Sequence, residues 1–541
     1  MSFPMLTVSE VVFAAPLSTV LGVAALLIAV QMTRTYWRLK HIPGPFWARF
    51  TNAQRVLWVK TKQAHLIHQE LHDQYGPVVR TGPNMVMFND PEAIPVVHTM
   101  RKGFPKAPFY NVFKAYTPHG GAITVFNATD EDALKEIKNP VAPLYSATNA
   151  MTFEPIVDEV LSCFSQNIEK RYLQNGTIFD LAEWSKYYAF DVMGMLTFSR
   201  RYSFLDQGDD VGGMLRAIIA YMENAAPVPW ADKLLFKNWL AHAIRRPPSL
   251  PIAKFVAEAV YARQEQMEKG HQLQRRPDFL TKFMELATDN PELPSGIVSN
   301  WTFTNVIAGS DSVGSVITTM MFHLLQHPNC MQKLYTELQS VNLTRPHPRL
   351  SEIQSLPYLD ACIWEAIRLH PAFALPLERV VPEGGITVGG YYLPEGTWVG
   401  GNPYVVNRHK PTFGADAELW RPERWLEGDE KYKIGLQQAT LTVSSKTSFL
   451  PQASFLGRFI PYNMSSRIQL TQILASQFGA GFRICIGRHI GVMEIKKMVS
   501  MLILNYDIDI IDPKLLHIEN WWLLTQEKLH IRIARRAMPT S

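Results

Sequence analysis

Residues 11–30 form a run of 20 residues without a charged side chain. Folded as a helix, the run would be about 30 Å long, which matches the hydrocarbon thickness of a bilayer. Pro16 and Gly22 are tolerated within such a span. The run therefore predicts a membrane helix, with the remainder of the chain folding beside a membrane.

Two alternatives for this segment are a cleaved signal peptide and a buried core helix. A signal peptide needs positive charge before its apolar run, whereas residues 1–10 carry a single charge, which is negative. A core helix would not be followed directly by Arg34, Arg38 and Lys40, a basic side that the positive-inside rule assigns to the cytoplasm. We expect an uncleaved anchor over residues 1–32 and a basic, proline-rich hinge over residues 33–46.

Residues 47–541 are predicted to form one large domain. Of the 541 residues, 47% are hydrophobic, which is enough for a large core. No linker, charge block or repeat divides this part of the sequence. The net charge is only +5 and the basic residues are scattered, which argues against a nucleic-acid partner.

The hydrophobic periodicity predicts a mainly helical chain with minor β structure. Most of residues 130–340 has a helical period, and turn signals such as Gly82-Pro83-Asn84 separate short β-like runs. The expected helices include residues 60–76, 299–326 and 356–370, and the expected β structure comprises strands at 78–80 and 85–88 and one small twisted sheet over 384–401.

The chain contains four cysteines: Cys163, Cys330, Cys362 and Cys485. No pair has the spacing of a metal clip, and four cysteines in a chain of this length do not make a disulfide framework. The first three lie in apolar helical contexts and are interpreted as buried small hydrophobic residues. Cys485 differs because a glycine-rich segment surrounds it.

The segment FGAGFRICIG, from Phe478 to Gly487, suits a loop that presents a thiolate to iron. Gly481 permits a tight bend, and Gly487 lets the next helix start close to a flat ring. Arg483 can pair with a carboxylate of the ring, and Phe478 can shield the sulfur of Cys485 from water. A thiolate ligand pushes electron density onto iron. The alternative is a glycine-rich loop with an unligated thiol.

Three charged residues are predicted to share one buried network. Glu365 and Arg368 lie three residues apart in the predicted helix 356–370, so both side chains lie on one face. Arg424, in the segment RPERW, offers a second guanidinium to the same carboxylate. The alternative is an ordinary solvated pair on a helix surface.

The segment AGSDS interrupts the apolar helix predicted over 299–326. Gly309 followed by an acid and an alcohol is costly in the middle of a helix unless it is used. We expect a local distortion that makes a groove for dioxygen and water, in which Ser312 holds the water and Asp311 supplies protons. The alternative is a helix kink with a cap-like acid.

In this order, these motifs resemble the cytochrome P450 family from the proline hinge to the last strand. IPGP, LHDQYGPVVR and FPKAPFY resemble its fungal, pisatin-demethylase-like members. The resemblance implies a mainly α fold with a smaller β-rich region, and heme b with Cys485 as the axial iron ligand. It also implies Glu365, Arg368 and Arg424 as a structural triad behind the heme, Arg379 as a heme-propionate partner, and Asp311 and Ser312 as the proton-delivery pair.

The implied activity is a monooxygenase reaction that uses dioxygen and electrons from NADPH–cytochrome P450 reductase. The resemblance places the protein at the endoplasmic reticulum membrane, with the catalytic domain in the cytoplasm. A basic patch for docking the reductase is expected near the ligand loop. Its expected members are Arg483, Arg488, His489, Lys496 and Lys497. A heme-thiolate isomerase or dehydratase, and an inactive heme-binding protein, are the alternatives.

Two positions depart from the family pattern. Ser312 stands where the family usually has threonine, and it lacks the methyl group that helps to fix the rotamer. The family's usual aromatic residue and arginine of the heme-contacting helix are missing near residues 131–138. Lys138 or Lys135 is expected to replace that arginine as a point charge.

Residues 443–477 look foreign to the family. These 35 residues contain seven serines and no acidic residue, and removing them leaves QQATLT joined to FGAGFRICIG. Val443-Ser444 can be encoded as GTA AGT, Gln469-Leu470-Thr471 can contain GCTAACA, and Gln477 can be CAG. These nucleotide sequences match a 5′ splice site, a branch site and a 3′ splice site, respectively. We therefore hypothesise a retained intron or a gene-model error.

The substrate is expected to be a lipophilic small molecule of fungal secondary metabolism. The segments that would line the distal pocket by family position are apolar. The expected pocket segments are Phe109-Tyr110, Ala374-Leu375 and Trp522-Leu523, with Ala225–Trp230 dipping into the membrane.

Overall fold

The computed structural model describes residues 17–99, 103–114, 116–117, 120–121, 123–227, 251–269, 278–441 and 485–537. Within these ranges the chain is mainly helical, as predicted. The helices of eight or more residues are α1 (Leu17–Arg38), α2 (Ala53–Lys60), α3 (Ala64–Tyr75), α4 (Glu131–Lys138), α5 (Glu154–Ile168), α6 (Leu181–Phe198), α7 (Met214–Ala225), α8 (Pro251–Glu268), α9 (Phe279–Asp289), α10 (Ile297–Gln326), α11 (Pro328–Gln339), α12 (Pro357–Leu369), α13 (Glu430–Ala439) and α14 (Arg488–Asn505).

The strands are short and fall into five small sheets within the described ranges. They are β1 (Val78–Gly82), β2 (Met85–Phe88), β3 (Tyr116–Thr117), β4 (Gly120–Gly121), β5 (Phe179–Asp180), β6 (Arg379–Val380), β7 (Ile386–Val388), β8 (Tyr391–Leu393), β9 (Trp398–Gly401), β10 (Tyr506–Ile510), β11 (His517–Asn520), β12 (Leu524–Glu527) and β13 (His530–Arg535). The largest sheet has the order β1-β2-β9-β6, and a three-stranded sheet has the order β10-β13-β5.

Residues 384–401 do not form one sheet, so that prediction was wrong. β7 and β8 pair as a hairpin. β9 leaves them and pairs in parallel with β2, with Met85 opposite Trp398. On its other side, β9 lies close to the chain before β6, and Gly400 allows this because a Cβ there would lie 2.8 Å from the backbone of Glu378. The local alternation of apolar and polar residues cannot reveal that a strand pairs with a segment about 300 residues away in the sequence.

The helix predicted over residues 60–76 starts later, at Ala64 of α3, and of α2 only the last residue, Lys60, falls in the predicted range. Lys62 has a left-handed backbone, with φ of 64°, and this residue separates α2 from α3. α3 then ends at Gly76, whose φ is 95° and whose amide bonds the His72 carbonyl at 2.9 Å. The predicted end of this helix is therefore confirmed, whereas its predicted start was wrong.

Helix α10 is the central element of the core and packs along α6. It is continuous from Ile297 to Gln326, so the local distortion predicted near Gly309 is not observed. Glycine is needed there for close packing, because a Cβ at Gly309 would overlap the sulfur of Met193 on α6. Gly314 allows the same close approach further along α10, against the backbone of Lys186.

Helix α1 is long and apolar enough to cross a membrane, with a mean hydropathy of 1.3 over Thr19–Arg38. The protein covers only 6% of this window. The helix continues through residue 32 to Arg38, so the first residues of the expected hinge are helical. The Pro43-Gly44-Pro45 turn follows it.

Candidate active site

A cavity of about 260 Å³ lies between helix α10 and the start of helix α14. Its walls are mainly apolar, and a small number of polar side chains reach it. Among the described residues, the polar or charged side chains on its wall belong to Lys106, Lys138, Tyr145, Thr304, Asn305, Ser312, Cys485 and Glu494, and apolar ones include Val125, Phe126, Val141, Met193, Val313, Val316, Ile367, Phe373, Ile486 and Ile490.

Cys485 stands on the cavity wall just before helix α14. Its side chain borders the cavity and is exposed. Burial raises the pKa of the Cys485 thiol, while the backbone amides of Gly487 and Arg488 and the charges of Arg488 and Lys138 lower it. Helix α14 thus points its N-terminal amides at the sulfur, and bound iron would deprotonate the thiol outright.

Gly487 also borders the cavity and caps helix α14. Among the described residues, a Cβ at this position would meet only the Cys485 sulfur within 4 Å, at 3.9 Å. The described part of the chain therefore leaves room at the helix end for a flat ring. Phe478, Gly481 and Arg483, the other residues singled out in this loop, lie outside the described residues, as does the segment 443–477.

Two lysines reach the cavity from different regions of the chain. Lys138, in the last turn of α4, borders the cavity, whereas Lys135 is more exposed and pairs with Asp132 at 3.2 Å. Of the two lysines proposed for this role, the structure therefore places Lys138 at the site. Lys106 also lines the cavity and donates a hydrogen bond to the Phe126 carbonyl. The sequence reasoning missed Lys106.

Arg379 is buried but is not among the described residues that line the cavity. It pairs with Lys106 through a β-bridge and donates to its neighbour's carbonyl, that of Glu378, at 3.1 Å. Burial holds the pKa of the nearby His98 well below its usual range, and the positive charges of Arg379 and Lys106 lower it further. Arg379 thus contributes to a positive cluster beside Lys106.

Ser312 and Asp311 are placed differently by helix α10. Ser312 lines the cavity and donates to the Ala308 carbonyl at 2.8 Å. Asp311 is absent from the described cavity wall. Burial raises the pKa of the Asp311 carboxyl, and nearby Lys186 on α6 opposes that rise. Because an α-helix rotates by about 100° per residue, the side chains of these two neighbouring residues point in different directions.

Glu365, Arg368 and Arg424 form a buried network in which at most 1% of each side chain is exposed. Arg368 binds the carboxylate in a fork, with Nε–Oε2 and Nη2–Oε1 distances of 2.9 and 2.8 Å. Arg424 Nε donates to Glu365 Oε1 at 3.0 Å. Trp425 Nε1 and the Arg421 amide, which the sequence reasoning did not include, each add a bond of 2.9 Å.

Two of the five residues expected in the basic patch are not on the surface, so the prediction was wrong for them. Lys496 and Lys497 have fully buried side chains. Lys496 pairs with Asp360 at 2.6 Å, and Lys497 pairs with Glu154 at 2.6 Å. Helix α14 runs through the core, so both ammonium groups form internal ion pairs and neither is available to a docking partner. Arg488 and His489 are only half-buried, and Arg483 lies outside the described residues.

A buried acid on the cavity wall was missed altogether. Within the described part of the chain, neither carboxyl oxygen of Glu494 has a hydrogen-bond partner. Burial raises the pKa of Glu494 well above its ordinary value. The only sequence signal was a lone acid in the otherwise apolar face of helix α14, which by itself is too common to single out.

The segments expected to line the substrate pocket do not do so: the described cavity wall contains none of Phe109, Tyr110, Ala374, Leu375, Trp522 and Leu523. Trp522 packs against Phe113, Phe126 and Phe373, with centroid distances of 4.2, 5.1 and 4.4 Å. Phe126 and Phe373 belong to the cavity wall. Phe109, Tyr110, Leu375 and Trp522 share one buried cluster behind that wall.

Comparisons with known proteins agree with this geometry. A sequence model of the family described as Cytochrome P450 matches residues 43–451 and 456–533. The chain belongs to the cytochrome P450 family. It is 50% identical over 531 residues to "Cytochrome P450 monooxygenase mfmA" of Annulohypoxylon moriforme, with 96% of each chain covered. It is 43% identical to "Cytochrome P450 monooxygenase asR2" of Sarocladium schorii, with 94% of each chain covered, and 43% identical to "Cytochrome P450 monooxygenase pkfB" of Emericella nidulans, with 97% of each covered.

The predicted family, the monooxygenase class and the heme-thiolate cofactor are thereby confirmed. The described residues fit a heme. The mainly apolar walls suit a porphyrin, and a cysteine on the wall suits its iron. The two lysines suit the carboxylates at the edge of the ring.

Proposed function

We propose that this P450 oxidises a lipophilic small molecule in a fungal secondary-metabolite pathway, with electrons from NADPH–cytochrome P450 reductase. The observation that carries the proposal is the cavity itself, where Cys485 and Ser312 share one mainly apolar space with Phe126 and Phe373. Such a wall excludes water and favours apolar ligands. The sources of the three similar monooxygenases support the fungal setting.

The heme would be held from several sides. Cys485 would bind the iron, Gly487 would leave room for the ring, Gly481 would permit the bend before the cysteine, and Phe478 would shield the sulfur from water. Lys138 and Lys106 would bind propionates as point charges. Arg379 would act from behind Lys106, and Arg483 from the loop. Glu365, Arg368 and Arg424 would brace the loops on the proximal side. The bound group supplies the activation of dioxygen.

Ser312 and Asp311 would serve proton delivery. The Ser312 hydroxyl now bonds the Ala308 carbonyl, and rotation of its side chain would turn it toward a water in the cavity. Burial raises the pKa of the Asp311 carboxyl, which is the direction of shift that suits a proton donor. Because Asp311 is off the described cavity wall, its proton would reach Ser312 through water.

Helix α1 would hold the protein in the endoplasmic reticulum membrane with the catalytic domain in the cytoplasm. The basic residues Arg34, Arg38 and Lys40 support this orientation. Reductase docking would use Arg488, His489 and Arg483, without Lys496 and Lys497, which are buried.

The test is the carbon monoxide difference spectrum of reduced membranes that contain the full chain. The expected result is the strongly red-shifted Soret band of a heme thiolate, which Cys485→Ser abolishes. Cys330→Ser, at a buried cysteine of α11, is the matched control and should retain the band. Deleting residues 443–477 tests how that segment affects heme binding: a band that appears only after the deletion would support the intron hypothesis, and a band in the full chain would show that the segment is tolerated.

Reductase-dependent turnover distinguishes the reaction classes. With reductase, NADPH and a panel of lipophilic aromatic and terpenoid compounds, we expect oxygenated products that contain one atom from ¹⁸O₂. Product formed without NADPH or dioxygen would refute the monooxygenase assignment in favour of an isomerase or dehydratase.

A further inference from the structure

Glu494 is the one acid among the described residues that line the cavity. It lies on helix α14, on the same face as Ile490 and Gly491, which also border the cavity. Only 1% of Glu494 is exposed to solvent, and no described residue bonds either carboxyl oxygen. An ionised carboxyl without a partner is costly to bury. A carboxyl in this position therefore binds a proton more readily when negative charge is added beside it.

A second buried polar group without a partner lies near Glu494. The hydroxyl of Tyr188, on helix α6, is fully buried, and no described residue bonds it. Burial raises the pKa of Tyr188, and the charges of Glu494 and Asp158 raise it further. The hydroxyl is therefore within electrostatic reach of both carboxyls. Buried polar groups that lack a protein partner usually bond an ordered water, so the surroundings of Glu494 and Tyr188 suit water molecules that link the two side chains.

Asp158, on helix α5, connects this pair to the solvent. Its side chain is 34% exposed, and its Oδ1 lies 2.9 Å from Lys497 Nζ. Lys497 follows Glu494 by about one turn of α14, but its ammonium group pairs with acids of α5, including Glu154 at 2.6 Å. Burial raises the pKa of Glu494, and no charge in the described part of the chain offsets that rise. Asp158, Tyr188 and Glu494 thus form a series from the surface to the cavity, across helices α5, α6 and α14.

A carboxyl on the wall of a heme cavity responds to the charge of the iron. One-electron reduction adds negative charge to the cofactor, and this charge raises the pKa of a nearby carboxyl, most strongly where water is excluded. By linkage, protonation of that carboxyl raises the midpoint potential of the iron by the same free energy. On the α10 side, the described wall contains the Ser312 hydroxyl but not the Asp311 carboxyl. Glu494 is therefore the described acid that reduction of the iron affects most directly.

We propose that Glu494 is a redox-linked proton site, which takes up one proton by way of Asp158 and Tyr188 when the iron accepts one electron. The electron comes from the flavin of the reductase, and the proton comes from solvent water. One O–H bond forms on the Glu494 carboxylate, and each hydroxyl or water on the path gives up one proton as it receives another. The net charge of the cavity is unchanged, and the proton leaves by the same path when the iron is oxidised again. The inference rests on the proposed reductase-driven function.

The test is the midpoint potential of the iron, titrated anaerobically with chemical mediators in the heme-loaded full chain at a series of pH values. In the wild-type protein the potential should fall as the pH rises, by up to about 59 mV for each tenfold fall in proton concentration. Glu494→Gln, which keeps the shape of the side chain but cannot ionise, should flatten this dependence. Both proteins share the other titratable groups on the described cavity wall, which are Lys106, Lys138, Tyr145 and Cys485. Asp191→Asn is the matched control, because Asp191 is a fully buried acid of α6 that is off the described wall.

An equal pH dependence in the wild-type protein and Glu494→Gln would overturn the proposal, and so would an equal loss of that dependence in Asp191→Asn. A second readout is the reduced-minus-oxidised infrared spectrum. The wild-type protein should gain the carbonyl stretch of a protonated carboxyl, and Glu494→Gln should lack that band. Absence of the band from the wild-type protein would overturn proton uptake at Glu494, even where the variant fails to bind heme.

The path is tested separately from the site. Tyr188→Phe should retain the pH dependence of the potential but slow proton uptake severalfold, which a pH-indicator dye follows after rapid reduction. An unchanged rate would overturn the path through Tyr188. Because mediators supply the electrons, failure of the proposed function would appear in its own assays instead, as a missing heme-thiolate band or as product formed without NADPH.

Discussion

Replacing Glu365 by alanine is expected to be among the most destabilising single changes in this chain. The carboxylate accepts five hydrogen bonds, two from Arg368 and one each from Arg424, Trp425 and the Arg421 amide. Its loss removes the carboxylate that the two buried guanidiniums share and leaves Arg424 with the longer contact to Asp416, at 3.4 Å. Breaking a buried charge network by removing one partner costs about 3–5 kcal/mol.

The free energy of unfolding is measured by urea titration of the heme-loaded protein, followed by circular dichroism and by the Soret band. The matched control is Glu265→Ala, which removes an exposed helical pair with Lys269 whose side chains are 50% and 58% exposed. Exposed pairs contribute roughly 0–1 kcal/mol. A loss for Glu365→Ala no larger than that for Glu265→Ala would refute the reasoning.

The pH dependence gives a second check on the same network. Burial alone would raise the pKa of Glu365, but Arg368 and then Arg424 hold it below its ordinary value. A carboxyl with a depressed pKa stabilises the fold above its unfolded pKa, and this contribution is lost as the pH falls through the folded pKa. The difference between the wild-type protein and Glu365→Ala should therefore shrink at acid pH.

Three further predictions concern other buried groups. Glu494→Gln should stabilise the protein increasingly as the pH rises above the ordinary glutamate range, because burial raises the pKa of Glu494 and ionisation is costly; equal effects at pH 5 and pH 8 would contradict this. Gly309→Val should lower the thermal midpoint by the equivalent of about 1–3 kcal/mol, since its side chain would overlap Met193; an unchanged midpoint would show that the helices separate freely. Burial lowers the pKa of His65 and of His72 to about 4, and the charge of Arg408 also lowers that of His65. The free energy of unfolding should therefore fall as the pH drops from about 6.5 toward 4, because the unfolded chain binds protons that the buried rings do not. His72→Gln should make the free energy of unfolding less dependent on pH over this range, and an unaltered dependence would exclude His72 as a cause.

Several features of the chain are readable because they depend on neighbouring residues. The run without charge before Arg34 specifies an apolar helix whatever follows it, and α1 indeed covers it from Leu17 onward. The spacing of Glu365 and Arg368 places both side chains on one face of any helix. The glycine-rich segment around Cys485 is specific over ten residues, and together with the other motifs, in their order, it led to the family assignment that the comparisons confirm.

Other features were decided only by the tertiary structure. Lys496 and Lys497 look like surface cations, but Asp360 and Glu154 from distant helices bury and pair them. Gly309 suggests a distortion, yet it serves contact with Met193 on α6. β9 pairs with β2, far away in sequence. A local sequence pattern defines which side chains share one face of a helix or strand. Which segment packs against that face depends on residues that are remote along the chain. That packing determines which charged side chains are paired in the interior and which remain available for chemistry.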